Sequence, residues 1–194
     1  MLFRSWGRAL RTFISRVLPG LGVHGVEVVT WPELSASLFR RAFPFLPSHR
    51  AKNTPEVVTR LKLHPALPGM LADWVAENVA PADAHTAWEE VTNLLGDPFY
   101  LETELTERAP GDFTRPEIKR ITDWTMEQEK KLSSWVEGER EEGAELDEED
   151  EALLLRMYQL RVGPCRRRGK PVRFSHLVVD ELQDLSPMEV GVLL

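Results

Sequence analysis

The chain has 194 residues, 42% of them hydrophobic, a formal net charge of -7 and a single cysteine. That is enough chain to bury a sizeable core in one or two domains. One cysteine excludes an internal disulfide framework and a Cys-rich zinc site, and fits a reducing, cytoplasmic setting. The charge is uneven: residues 1–60 hold nine Lys/Arg against three Asp/Glu, whereas Glu137 to Glu151 holds ten acids and one base. The acidic run argues against binding a nucleic-acid backbone there. It reads as a solvated loop and helix start, the other reading being a tip that contacts a basic protein surface or mimics nucleic acid. No stretch approaches the ~18 consecutive apolar residues of a membrane span, so no membrane partner is expected.

In chain order, Leu2, Phe3, Trp6, Leu10, Phe13, Ile14, Val17 and Leu18 recur at helical spacing, with Arg4, Arg8 and Arg11 opposite. The spacing predicts an amphipathic helix docked on a sheet, a transit peptide or surface anchor being the alternatives. Pro19 and the glycines after it end the helix. Gly25 to Thr30 reads as a short strand. Helices are then expected from Pro32 through Phe39, from the Thr54-Pro55 cap through Leu63, from Met70 to Val79, and from Ala84 to Leu95, the last closed by Gly96 and Pro98. Thr114 and Pro116 start a longer helix with Ile118, Ile121, Trp124, Leu132 and Trp135 on one stripe. Asp147 is expected to cap a helix carrying Leu153, Leu154, Tyr158 and Leu160, ended by Gly163-Pro164. Trp74, Trp88, Phe99, Tyr100, Trp124 and Trp135 suit a packed core, base stacking being the alternative. Cys165 reads as an incidental loop cysteine, although Arg166, Arg167 and Arg168 beside it could lower a thiol pKa.

The most informative segment comes last. Leu177-Val178-Val179 suits a strand buried on both faces of a parallel sheet, and His176 before it reads as a packed core histidine. Asp180 and Glu181 follow directly, at the carboxyl edge where open α/β sheets place their ligands, and an acid there can hold a hydrated magnesium ion. Ser186 with Glu189 forms a capping box with Pro187 at the first helical position, so strand, acidic loop and helix follow in order.

Asp180-Glu181-Leu182-Gln183-Asp184, with the apolar strand before and Leu-Ser-Pro after, resembles motif II of superfamily 1 helicases of the UvrD/Rep type, most closely the HelD-like branch, some members of which release RNA polymerase from stalled complexes. Leu182 departs from the small or aromatic residue common there. Phe13 through Gly22, then Gly25 through Trp31, is similar to the family's segment between motifs Ia and Ib. The resemblance covers about a quarter of the chain. It implies that Asp180 binds magnesium through water, that Glu181 polarises the attacking water, that Gln183 contacts the γ-phosphate or neighbouring motifs, and that Asp184 holds the nucleotide-binding loop. Thr30 would contact nucleic-acid phosphate, or be an ordinary strand threonine. For the acidic residues the alternative is a strand end capping the following helix.

A glycine-rich phosphate loop ending in Lys-Ser/Thr is absent: Gly163 to Lys170 has glycines and a lysine at the wrong spacing. The resemblance therefore implies a fragment reaching from about motif Ia to motif II. The expected fold is helix-rich α/β, a partial RecA-like (P-loop NTPase) parallel sheet formed by 1–30 and 172–194 and interrupted by a helical insertion over 31–171. The family strand of motif Ia is expected just before residue 1, leaving sheet edges exposed to self-association. ATP, magnesium, single-stranded DNA and RNA polymerase are the cofactors and partners implied for the complete parent, with none of the cofactors binding this chain tightly alone. A stand-alone module binding RNA polymerase is the alternative function, and a metal-dependent nuclease ranks last.

Overall fold

A computed structural model describes residues 2–4, 8–139, 143–167 and 169–194, with side chains from Arg11 onward. The fold is helix-rich α/β. Three short parallel strands, β1 (Leu2–Arg4), β2 (Glu27–Val29) and β5 (Leu177–Val179), form one sheet in the order β2-β1-β5. Two two-residue strands, β3 (Arg166–Arg167) and β4 (Lys170–Pro171), make a separate antiparallel hairpin. The helices between β2 and β3 supply almost the whole hydrophobic core.

The beginning of the chain differs from its helical periodicity. Leu2 to Arg4 is the central strand of the described sheet, and the helix α1 spans Arg8–Gly20. Trp6 lies outside the described residues. Three residues of apolar sequence carry too little periodicity to separate strand from helix, and here pairing on both sides decides. Among the described residues β2 and β5 are the edges of this sheet.

β5 is not buried on both faces. Val28 and Val178 both register with Phe3, so they share one row and one face of the sheet, yet Val28 is 7% exposed and Val178 39%. Helix α1 packs against β2. Val179 turns to the opposite face and packs on the helical core. His176 sits at a bend before β5 and is exposed, so it is not a core histidine.

The helical body runs α2 (Trp31–Ala42), α3 (Glu56–Lys62), α4 (Leu67–Glu77), α5 (Ala84–Gly96), α6 (Pro98–Arg108), α7 (Arg115–Val136) and α8 (Asp150–Arg161), with α9 (Pro187–Leu193) closing the chain. Most starts follow sequence-encoded caps. Thr30 with Glu33, Thr114 with Glu117 and Ser186 with Glu189 each form a capping box with a proline in the first turn. The helix expected from Met70 starts earlier, at Leu67, with Pro68 in its first turn.

Helix α6 is the element that residue patterns pass over. Gly96 and Pro98 read as the end of one helix, but Asp97 serves two helices: it follows α5, and its carboxylate accepts from the Phe99 and Tyr100 amides at 2.9 and 3.0 Å to start α6. A proline after a cap residue is as much a start signal as a stop. Helix α8 lies at the centre, packed against α2, α4, α5 and α9. Its consecutive Ala152, Leu153, Leu154 and Leu155 are all buried because partners surround it, which erases the one-sided periodicity of a surface helix. Trp88 is buried, and Trp74, Tyr100, Trp124 and Trp135 pack against the core; Phe99 is 79% exposed. Cys165 is buried, and that burial pushes its thiol up to about 11, against any activation by the neighbouring arginines.

Candidate functional site at the carboxyl edge of the sheet

Parallel pairing brings two remote segments to one edge. Arg4 registers with Val29 on one side and Val179 on the other, so Thr30 and Asp180 each follow the sheet at its carboxyl end, separated by one strand. Two strand spacings place them roughly 10 Å apart across the sheet. Open parallel sheets present ligand-binding loops at this edge.

Asp180 is half-buried at the end of β5, and Glu181, Gln183 and Asp184 are exposed. Glu181 has φ 53°, the one non-glycine residue with positive φ among those described. Left-handed backbone costs an L-residue about 1–2 kcal/mol. The turn it makes leads into a 3-10 turn over Leu182–Asp184, closed by the Asp184 amide donating to the Glu181 carbonyl at 3.0 Å. Gln183 donates its side-chain amide to the Glu181 carboxylate. Leu185 and Met188 are buried and anchor the segment to the body, so the acidic turn is held at both ends. If the turn keeps this conformation for its carboxylate rather than for folding, Glu181→Gly should leave the chemical-denaturation midpoint unchanged or raise it. A fall of more than about 1 kcal/mol would instead give Glu181 a role in stability.

Thr30 is 8% exposed and its hydroxyl caps α2, accepting from the Glu33 amide at 3.4 Å while the Glu33 carboxylate takes the Thr30 amide at 3.0 Å. It is thus more than a strand threonine. Glu33 also pairs with Arg11 at 2.5 Å, which engages one cation of the basic N-terminal face. The side chains of Arg4 and Arg8 lie outside the described residues.

Thr30 also borders a cleft of about 740 Å³ between the starts of α2 and α9 and the acidic segment, lined by Trp31, Lys62, Glu148, Glu149, Ser186 and Met188 among others. Its wall shows where the acidic run goes. Asp147 does not cap α8; it is 2% exposed and, with Asp150, receives the Lys62 ammonium at 2.5 Å from each. Asp147 also accepts from the Thr54 hydroxyl at 2.6 Å and the Trp124 indole at 3.0 Å, and Asp150 takes the Asp147 amide at 2.8 Å. Thr54 therefore serves this network, and Pro55 occupies the cap position of α3. Glu151 pairs with Arg50 and accepts from Ser35 at 2.8 Å. Several acids of the run thus point inward, while Glu137, Glu139 and Glu148 are exposed.

The charges respond to that burial. Burial disfavours the Lys62 ammonium, but attraction to Asp150 and Asp147 outweighs it and holds Lys62 above the ordinary lysine value. Burial also opposes the Asp147 carboxylate, yet Lys62 and the hydrogen bonds hold it below its ordinary value; for Asp150 burial prevails and pushes it up. Glu149 is half-buried and likewise raised by burial, with Oε2 lacking a partner among the described residues. Sequence patterning overlooked Lys62, whose place in a short helix gives no sign that its ammonium turns inward; the density of acids over 147–151 was the available hint.

No group of His, Cys, Asp and Glu among the described residues is arranged as an all-protein metal site. No family model, curated protein or solved structure matches this chain.

Proposed function

We propose that this chain forms part of the motor of an ATP-dependent superfamily 1 helicase or translocase of the UvrD/Rep type, nearest its HelD-like branch, contributing the acidic strand end that faces nucleotide and magnesium. The observation that supports this reading is the placement of Asp180-Glu181 at the carboxyl end of β5, in a parallel sheet whose same edge carries Thr30. A RecA-like motor puts phosphate chemistry at that edge. The donor set fits magnesium, which takes one or two carboxylates and keeps several waters, rather than a cage of protein ligands. Asp180 would hold the hydrated ion, whose charge offsets that of the phosphates when bound. Glu181, in its left-handed turn, would accept a proton from water, with Gln183 orienting its carboxylate and Asp184 holding the turn. Thr30 would contact nucleic-acid phosphate at the opposite strand on release of its cap on α2, since its hydroxyl and amide are both engaged with Glu33, and RNA polymerase is the protein partner the HelD-like resemblance suggests.

The test uses Mn²⁺ as a paramagnetic stand-in and amide NMR of the full chain. Broadening should centre on Asp180, Glu181 and Thr30 and disappear in Asp180→Asn. Broadening centred on the exposed acids Glu137, Glu139 and Glu148, unchanged by Asp180→Asn, would remove the reading. With magnesium and ATP, with or without single-stranded DNA, phosphate release should stay at background, because positioning and charge stabilisation need a phosphate loop and lysine that these 194 residues do not contain. Turnover that is lost in Asp180→Ala would mean that the chain holds a complete site of another kind.

A further inference from the structure

Helices α5 and α7 pack together, and a groove of about 770 Å³ opens beside them, reaching the start of α6 and Trp74 of α4. Its composition is one-sided. Trp74 is half-buried at one wall, Trp88 lies buried behind it, Met126 is 61% exposed, and the charged residues lining the groove are Glu89, Asp97 and Glu129, with no Lys or Arg among the described lining residues. The helical register explains the shape. Glu89, Thr92, Asn93 and Gly96 form a stripe along α5, and Met126, Glu129 and Ser133 form one along α7. Gly96 and the short side chains of Thr92 and Ser133 leave the space open, and a Cβ on Gly96 would meet Met126 at 3.9 Å. Phe99, in the first turn of α6, adds a second exposed apolar side chain near the Asp97-Pro98 lip.

We propose that this groove docks a helical segment of a partner protein that presents a bulky apolar side chain flanked by Lys or Arg. The occupant follows from complementarity. The exposed Met126 and the half-buried Trp74 offer an apolar foothold in a largely polar groove, and a rim of three carboxylates favours cations and repels phosphate, which counts against single-stranded nucleic acid. Asp97 already accepts from two amides and Glu129 from the Ser133 hydroxyl at 2.7 Å, so these carboxylates are held in place at the rim. The indole N–H of Trp74 is buried with no acceptor among the described residues, an unusual omission in this wall. This surface is separate from the strand end at Asp180 and does not depend on the motor reading.

The probe is a synthetic amphipathic peptide with Trp and Leu on one face and Lys on the other, compared with its Glu-for-Lys counterpart, a polylysine of equal length and a short single-stranded DNA. The readout is amide NMR of the full chain at two salt concentrations. Shifts from the Lys/Trp peptide should be confined to Trp74, residues 88–99 and residues 126–133, weaken with salt, and require at least tenfold more peptide in Met126→Lys/Glu129→Lys. These are exposed or half-buried positions, and an unchanged spectrum elsewhere reports that the variant is folded. Shifts centred on residues 137–151 instead, equal responses to polylysine or the acidic peptide, or DNA shifting the same groove would each overturn the proposal.

Discussion

Lys62→Met is expected to lower the unfolding free energy by about 3–5 kcal/mol, because it strands two aspartates in a buried site rather than merely deleting one ion pair. Lys62, Asp147 and the Asp150 side chain are each nearly enclosed, and one ammonium serves both carboxylates. Equilibrium urea unfolding measures the loss. The single-site order should be Lys62→Met, then Asp147→Asn, then Asp150→Asn: Asp147 carries two further donors from Thr54 and Trp124, whereas Asp150 bears its charge against a net burial cost. Adding both asparagines to Lys62→Met should restore much of the loss, since no buried charge then lacks its partner. A loss under about 1 kcal/mol for Lys62→Met would show that the cluster opens to water.

The same cluster sets a pH dependence with opposite signs. Lys62 is raised, so its stabilisation is fully present below its ordinary 10.5 and is lost as pH rises through the still higher folded value. Asp147 is depressed, so its contribution is present above its ordinary 3.8 and is lost as pH falls through the lower folded value. Asp150 is raised, so its contribution runs the other way, present below 3.8 and lost as pH rises through the folded value. Lys62→Met should therefore flatten the alkaline limb of the stability curve above pH 10.5. The acid limb should change as well: without the ammonium, burial raises both Asp147 and Asp150, so part of the lost stability returns as they take up protons at falling pH.

Arg161→Met is expected to cost a comparable amount, about 3–5 kcal/mol, and to lower the thermal midpoint by roughly 6–20 °C for a chain of this size. The Arg161 side chain is 6% exposed at the end of α8 and forks onto Glu90 of α5, with Nε and Nη2 each 2.7 Å from a carboxylate oxygen. Its third nitrogen donates to the Asn78 carbonyl, just past the end of α4, so one guanidinium joins three helices. Arg161→Lys should also be destabilising, since an ammonium cannot reproduce the two-pronged contact. Arg161→Met with Glu90→Leu should recover most of the loss. A double variant no more stable than Arg161→Met would instead assign the cost to the orphaned Asn78 carbonyl.

Local chemistry was legible wherever neighbours in sequence decide structure. The capping box at Ser186, the helix start at Thr114, the helix end at Gly163 and the strand-turn-helix order from Leu177 to Glu189 depend on contacts within a few residues, so residue type and spacing suffice to find them, whereas the Thr30–Glu33 box reads in sequence as the end of a strand. Proline placement was legible in position but ambiguous in sense: Pro68 and Pro98 begin helices in the same surroundings that would end them. The tertiary structure alone decided three matters. It turned Leu2–Arg4 into the strand between β2 and β5, because hydrogen bonds to segments more than twenty residues away outweigh the weak helical preference of three residues. It packed α8 among α2, α4, α5 and α9, so that the consecutive Ala152 to Leu155 are all buried. And it drew Asp147, Asp150 and Glu151 out of an apparently solvated acidic run onto Lys62 and Arg50, residues 85 to 101 positions away, since a carboxylate's worth is set by the cation that folding brings to it rather than by its neighbours in the chain.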